Sequence, residues 1–124
     1  MNKIEKWILI QFRNLERELD GTYDEEEQED ISNELYALDD IYALVKNRDI
    51  VELEIIFHTG QGYKIYNIHA EKDSHYIEEY EGFTEDKDDL ETFMETATLR
   101  DITEEIDLFE LLDKAIFEEK AEIN

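Results

Sequence analysis

Cysteine is absent from all 124 residues, proline is absent too, and glycine occurs only four times. Without cysteine there is neither a disulfide scaffold nor a thiolate zinc site. No apolar run approaches the roughly 20 residues that carry a helix across a bilayer. Cations are scarce: 12 Lys and Arg stand against 36 Asp and Glu, for a formal net charge of −24. Direct binding of DNA or RNA is not expected of such a chain, because that affinity comes from Lys and Arg neutralising phosphates. What dominates is carboxylate, about one uncompensated negative charge for every five residues.

High net charge with low hydrophobicity marks disordered chains, and only the first condition holds here. Hydrophobic residues make up 41% of the sequence, with seven Tyr, six Phe and one Trp. They also recur periodically, so the chain reads as one acidic domain over residues 1–124 with a charged shell around an apolar core. Self-repulsion in that shell works against folding and is screened by salt. Raising the ionic strength from roughly 10 to 150 mM shortens the screening length from about 30 to about 8 Å. The melting temperature is therefore expected to rise by about 5 °C over that range in a calorimetric scan. A flat or falling melt counts against a self-repelling folded shell.

The first residues, Met1 to Arg13, loosely resemble a secretion signal. The apolar stretch Trp7–Ile10 is short, Gln11 and Arg13 interrupt it, and no small-residue cleavage site follows. An amphipathic helix and a cytoplasmic location are the expectation. Ile4, Ile8, Phe12, Leu15 and Leu19 share one helical face, which predicts a helix over 3–20 with Gly21 as its left-handed cap. Thr22 to Glu25 reads as a capping box opening a second helix, in which Ile31, Leu35, Leu38, Tyr42 and Val45 repeat to about residue 47. The short link implies an antiparallel helical hairpin.

At Asp49 the period changes to two. Val51, Leu53, Ile55 and Phe57 alternate with Glu52, Glu54, Ile56 and His58, as in a strand with one buried face. Thr59 to Gly62 forms a turn, Tyr63–Ala70 a second strand, and His75–Tyr80 a third, ended by Gly82. Thr84 is placed to cap a helix over 85–97. Residues 99–102 read either as a short strand or as helix continuation. Ile102, Ile106, Phe109, Leu112 and Ile116 mark a last helix, capped by Thr103. The fold class is α+β: a helical hairpin, an antiparallel β-hairpin or three-stranded sheet, and C-terminal helices.

Charge is unevenly placed. Lys3, Lys6, Arg13 and Arg17 lie in the first helix, and no cation follows until Lys46. In that gap fall Asp24, Glu26, Glu27, Asp30 and Glu34. A second block contains Glu78, Glu79, Glu81, Glu85, Asp86, Asp88 and Asp89. Solubility of a small domain needs a net charge of only ~2–8, and like charges one helical turn apart cost a few tenths of a kcal/mol per pair. An excess this large is tolerated at a cost, which points to use against a basic partner. Carboxylates ~5–6 Å apart on a helix face approximate the phosphate tracks of a duplex. Tyr23, Tyr36, Tyr76, Tyr80 and Phe83, set among the acids, are candidate anchors or imitations of base faces.

In length, acidity, lack of cysteine and α+β layout, the chain resembles the small DNA-mimic inhibitors of phages and mobile elements, of anti-CRISPR and anti-restriction type. The stretch Glu78 to Asp89 is most like them in character. The resemblance implies a non-enzymatic inhibitor that blocks the DNA- or RNA-binding groove of a basic nucleic-acid-processing protein, such as a Cas effector or a restriction enzyme. It implies no direct nucleic-acid or membrane binding and no cofactor. The twelve acids named above are the expected partner-binding residues. The alternative is an immunity, antitoxin or adaptor protein that binds a basic partner without mimicry. A metal-dependent hydrolase, with Glu52, Glu54 and Asp49 holding Mg²⁺, stands third. His58, His69 and His75 form no zinc spacing, the block Asp24–Asp30 lacks an EF-hand's alternating ligands and central glycine, and no glycine-rich phosphate loop or nucleophile elbow occurs.

Overall fold

A computed structural model describes residues 1–119 and 121–124. Asn2 opens the first helix, α1 (Lys3–Gly21), by accepting the Glu5 N–H on its side-chain oxygen at 2.7 Å. The second, α2 (Glu25–Val45), runs back along it. The Asn2 amide donates to the Val45 carbonyl at 3.0 Å, so the start of α1 lies beside the end of α2, and the pair is antiparallel. Phe12 meets Tyr42 edge to face across the hairpin.

Five strands follow: β1 (Val51–Thr59), β2 (Gly62–Ala70), β3 (His75–Tyr80), β4 (Leu99–Asp101) and β5 (Glu122–Ile123). They form one antiparallel sheet in the order β4-β3-β2-β1-β5. Between β3 and β4 a 3₁₀ turn, Lys87–Asp89, leads into α3 (Leu90–Thr96). After β4 comes α4 (Leu108–Asp113), which continues as a π-helical turn, Lys114–Glu118. The fold is α+β.

The inner sheet face carries Val51, Leu53, Ile55 and Phe57 opposite Ala70, Ile68, Tyr66 and Lys64, with Ile77 opposite Ile68. Its apolar residues form one core with Ile4 and Ile8 of α1, Leu38 and Val45 of α2, and Leu108, Leu111 and Leu112 of α4. Alternation thus sorts the strands as the period of two requires. Ile56 and Ile65 are the exception: they pair on the outer face and are buried there, apart from the main core. The segment after β3 folds back over that end. Tyr63 and Thr84 exchange backbone hydrogen bonds at 2.7 and 3.3 Å, and Leu90, Phe93 and Met94 further along that segment are half-buried. Among the described residues no helix is long and apolar enough to cross a membrane.

Several expected boundaries shift, in part because the residues concerned pair elsewhere. Gly21 stays within α1 without a left-handed cap, and Thr22 closes the helix in an extended conformation. Asp24, not Thr22, caps α2 by accepting the Glu26 N–H, while the Thr22 hydroxyl donates to Glu27 at 2.6 Å. The second helix stops at Val45, where Glu5 holds the N–H of Asn47, a residue in the left-handed region. Thr84 cannot cap a helix at 85 because both its backbone groups pair with Tyr63; the helix shrinks to Leu90–Thr96. Thr103 is tied to β3 through Ile77, so Asp107 caps the last helix instead, accepting the Glu110 N–H at 3.0 Å. Residues 99–101 form a strand, and Glu122–Ile123 adds a fifth.

Candidate functional site

Of the twelve candidate carboxylates, nine are exposed and three, Glu34, Glu78 and Glu79, are half-buried. The first group lies along the start of α2. Asp24 and Glu27 have local work there, capping the helix and accepting from Thr22. Glu26 and Asp30 point into solvent with no protein partner among the described residues. The Glu34 carboxyl is pushed above the usual carboxylate range, first by partial burial and then by Glu18, Asp30 and Asp113 nearby. Negative charge is therefore crowded on this side of α2 in the free protein.

The second group divides. Glu79 lies on the inner face near the sheet edge, bound by Arg100 at 2.7 Å and Lys64 at 3.5 Å. Partial burial pushes its carboxyl up, but the hydrogen bonds and charge of Arg100 and Lys64 outweigh that and hold it below the ordinary range. Glu79 is thus neutralised internally, and Glu81 sits 3.9 Å from the same Arg100. Glu78 is on the outer face, where its carboxylate beside Tyr76 raises the Tyr76 phenol. Asp86 caps the 3₁₀ turn by accepting the Asp88 N–H. Glu85, Asp88 and Asp89 are exposed and, among the described residues, unpaired. Lys87, although set among these acids, reaches instead to Glu122 of β5 at 4.0 Å.

The β5 edge is where the two acidic segments approach each other. Ile123 pairs with Ile55 and so faces the helices; Glu122 pairs with Ile56 and faces the other way. On the helix side Ile123 lines a groove of about 660 Å³ against α2, whose walls include Asp30, Glu34 and Asp40. On the other side Glu122 meets the 3₁₀ turn through Lys87. Carboxylates thus flank both sides of one sheet edge. The sequence carries no signal for this meeting, because β5 is two residues long and pairs with a strand some 70 positions earlier.

The anchoring aromatics sort by exposure. Tyr23 and Tyr36 stand out at 95% and 71% exposed, and Tyr76 and Phe83 are also open. Phe83 carries the Lys64 ammonium over its ring, and Tyr80 accepts a hydrogen bond from Asn67. The cations of α1 form a stripe of their own: Lys6, Arg13 and Arg17 are exposed on one face around the exposed Ile10.

Glu52 lies 3.5 Å from His69 and Glu54 accepts from Asn124, and among the described residues no three His, Asp or Glu side chains converge as a metal ligand set. His58 stacks on Tyr63, and His75 receives the Lys3 ammonium at 2.8 Å. Burial and that ammonium both lower the His75 pKa, which suits a neutral acceptor ring. Comparison with protein-family models, with curated proteins and with solved structures finds no match in any of the three.

Proposed function

We propose that this chain is a non-enzymatic inhibitor that presents carboxylates where a nucleic acid presents phosphates, filling the DNA- or RNA-binding groove of a basic nucleic-acid-processing protein in the cytoplasm. This is the manner of action implied by the resemblance to small acidic DNA mimics of anti-CRISPR and anti-restriction type. The observation that carries the reading is the pair of exposed acidic runs on either side of the β5 edge, the first without any cation in its segment and the second left open because its one lysine, Lys87, turns to Glu122. A nuclease or restriction enzyme offers the complementary surface. Association is then fast, steered by charge and weakened by salt.

A second reading, an immunity or antitoxin protein that binds a basic partner without imitating DNA, is favoured by one feature: the groove beside α2 has an apolar floor. A mimic of phosphates has no need of one. The experiment that tests both is capture of partners from a bacterial lysate with and without competing duplex DNA. Mimicry predicts captured basic proteins that duplex DNA displaces and that moderate salt releases. Binding beside DNA predicts capture that duplex leaves unchanged.

The residues are tested by charge reversal at positions with no structural work: Glu26→Lys with Asp30→Lys, and Glu85→Lys with Asp88→Lys and Asp89→Lys. At ~0.5 kcal/mol for each exposed charge, all five together are expected to weaken partner binding by about a hundredfold while the melting temperature holds or rises. Unchanged binding by both sets removes these segments from the interface.

A further inference from the structure

The groove beside α2 is lined along its length by one helical stripe, Asp30, Glu34, Ala37, Ile41 and Leu44, at spacings of three and four. The opposite wall comes from Ile116 and Phe117 of the π-helical turn and from Ile123 of β5. The groove is therefore apolar from Ala37 to Leu44, where Ile116, Phe117 and Ile123 face it, while Asp30 and Glu34 continue the same stripe at its other end and Asp40 adds a third carboxylate to the lining. From Asp30 to Leu44 the stripe covers about 21 Å of axis at ~1.5 Å per residue, the length of about four turns of a helix. The π turn, a rare element frequently found at functional sites, supplies this wall.

We infer that this groove receives an amphipathic, cationic helix of the basic partner, its apolar face on Ala37, Ile41, Leu44 and Phe117 and its Lys or Arg side chains on Asp30, Glu34 and Asp40. Charge complementarity selects this occupant. A nucleic acid or an anionic lipid surface would bring negative charge to a groove already lined by Asp30, Glu34 and Asp40. A strand added to β5 would find only two residues to pair with. A second copy of this chain would bring −24 of its own, although its α1 stripe, Lys6, Ile10, Arg13 and Arg17, has the right pattern on a small scale. Apolar anchors at helical spacing set in a groove, with charges at its rim, are a recurrent mode of helix recognition.

The inference rests on the reading of a basic partner, and its test is independent of duplex competition. The probe is a peptide of about 14 residues with Leu on one helical face and Lys on the other, compared with a scrambled peptide of identical composition and no apolar face. Titration by nuclear magnetic resonance is expected to show helical, one-to-one binding, with shifts at Ala37, Leu44 and Ile123. Leu44→Ser combined with Ala37→Gln alters only partly exposed side chains and leaves the charge untouched. It is expected to weaken the amphipathic peptide about tenfold and the scrambled one not at all. Asp40→Asn is expected to weaken the amphipathic peptide with a reduced salt dependence, which keeps the test valid should the double variant fold poorly. Equal affinity of the two peptides, shifts confined to other surfaces, or indifference to both variants overturns the proposal. So does a concentration-dependent dimer that Leu44→Ser abolishes, since the occupant is then a second copy. Success of duplex competition with failure here removes the groove and leaves the mimic.

Discussion

Replacing Asn2 by Ala is expected to lower stability by about 3 kcal/mol, counting ~1 for a helix cap and ~1 for each of two buried hydrogen bonds. In a domain of this size that is a fall in melting temperature of roughly 10 °C. Asn2 is fully buried and makes three hydrogen bonds of two kinds. Its oxygen caps α1 at Glu5, and its amide donates to the carbonyls of Val45 and Arg48 at 3.0 and 2.9 Å. One side chain thus satisfies the start of one helix and the chain leaving the other. Glu5 adds the companion bond, accepting the N–H of Asn47 at 3.0 Å where the backbone adopts φ +62°. Together they fix the turn that delivers the chain from α2 into β1.

Asn2→Asp separates the two roles. Aspartate is as good a helix cap as asparagine, so a purely capping Asn2 predicts a near-neutral exchange. Here the second oxygen would face two carbonyls in a buried site with no proton to offer, and aspartate is expected to be at least as damaging as alanine. Calorimetric melts of the three proteins decide it. An alanine variant within about 2 °C of the parent would mean that these buried bonds contribute almost nothing.

Asn2 also shows where reading the chain ends. Periodicity is a property of one element at a time, and it located α1, α2 and β1 because each buries a face long enough to repeat, while β2 and β3 were placed by the turns that bound them. Ile4, Ile8, Ile31, Leu38 and Val45 on the helices, and Val51, Leu53 and Ile55 on the strand, were legible in that way. Partnerships between distant residues leave no periodic trace. Thr84 looks like a helix cap until Tyr63, twenty-one positions away, takes both its backbone groups. Thr103 does likewise until it meets Ile77. Ile56 reads as an exposed residue on an alternating strand, and is buried at the end of the sheet to which Thr84 is bridged through Tyr63. The candidate site follows the same division. That Asp24–Asp30 and Glu85–Asp89 are carboxylate-rich is plain in the sequence, and most of these side chains are exposed. That Glu79 is neutralised by Arg100 and Lys64, and that the two runs flank the β5 edge, depends on tertiary pairing, whereas the caps made by Asp24 and Asp86 are local bonds to the N–H two residues on.

Gly62→Ala tests the joint that holds the second acidic run against the sheet, and is expected to cost about 3–4 kcal/mol. Two effects combine. Gly62 has φ +128°, a conformation that a residue with a Cβ occupies only under strain. A Cβ there would also run into the backbone of the bridge partner: it would overlap the Thr84 carbonyl oxygen and lie 3.0 Å from the Thr84 carbonyl carbon and 3.1 Å from the Glu85 Cα. These are main-chain atoms and cannot rotate away, so relief requires the segment from Thr84 onward to move off β2. Gly60, two residues earlier in the same turn, has open space at its Cβ position and no positive φ. Gly60→Ala is expected to change stability by no more than about 0.5 kcal/mol. The pair controls for a general loss of turn flexibility, because both exchanges remove the same glycine entropy from the unfolded chain. Hydrogen exchange locates the damage. The Tyr63 N–H donates to Thr84 at 2.7 Å, and its protection should fall in the Gly62 variant well before that of Leu53 or Ile68 in the sheet interior. Partner binding should weaken in parallel, since Glu85, Asp88 and Asp89 then lose their fixed position beside β5. Equal melts for the two alanine variants would show that the bridge to Thr84 does not constrain this segment, and the second acidic run would have no fixed place to present its charge.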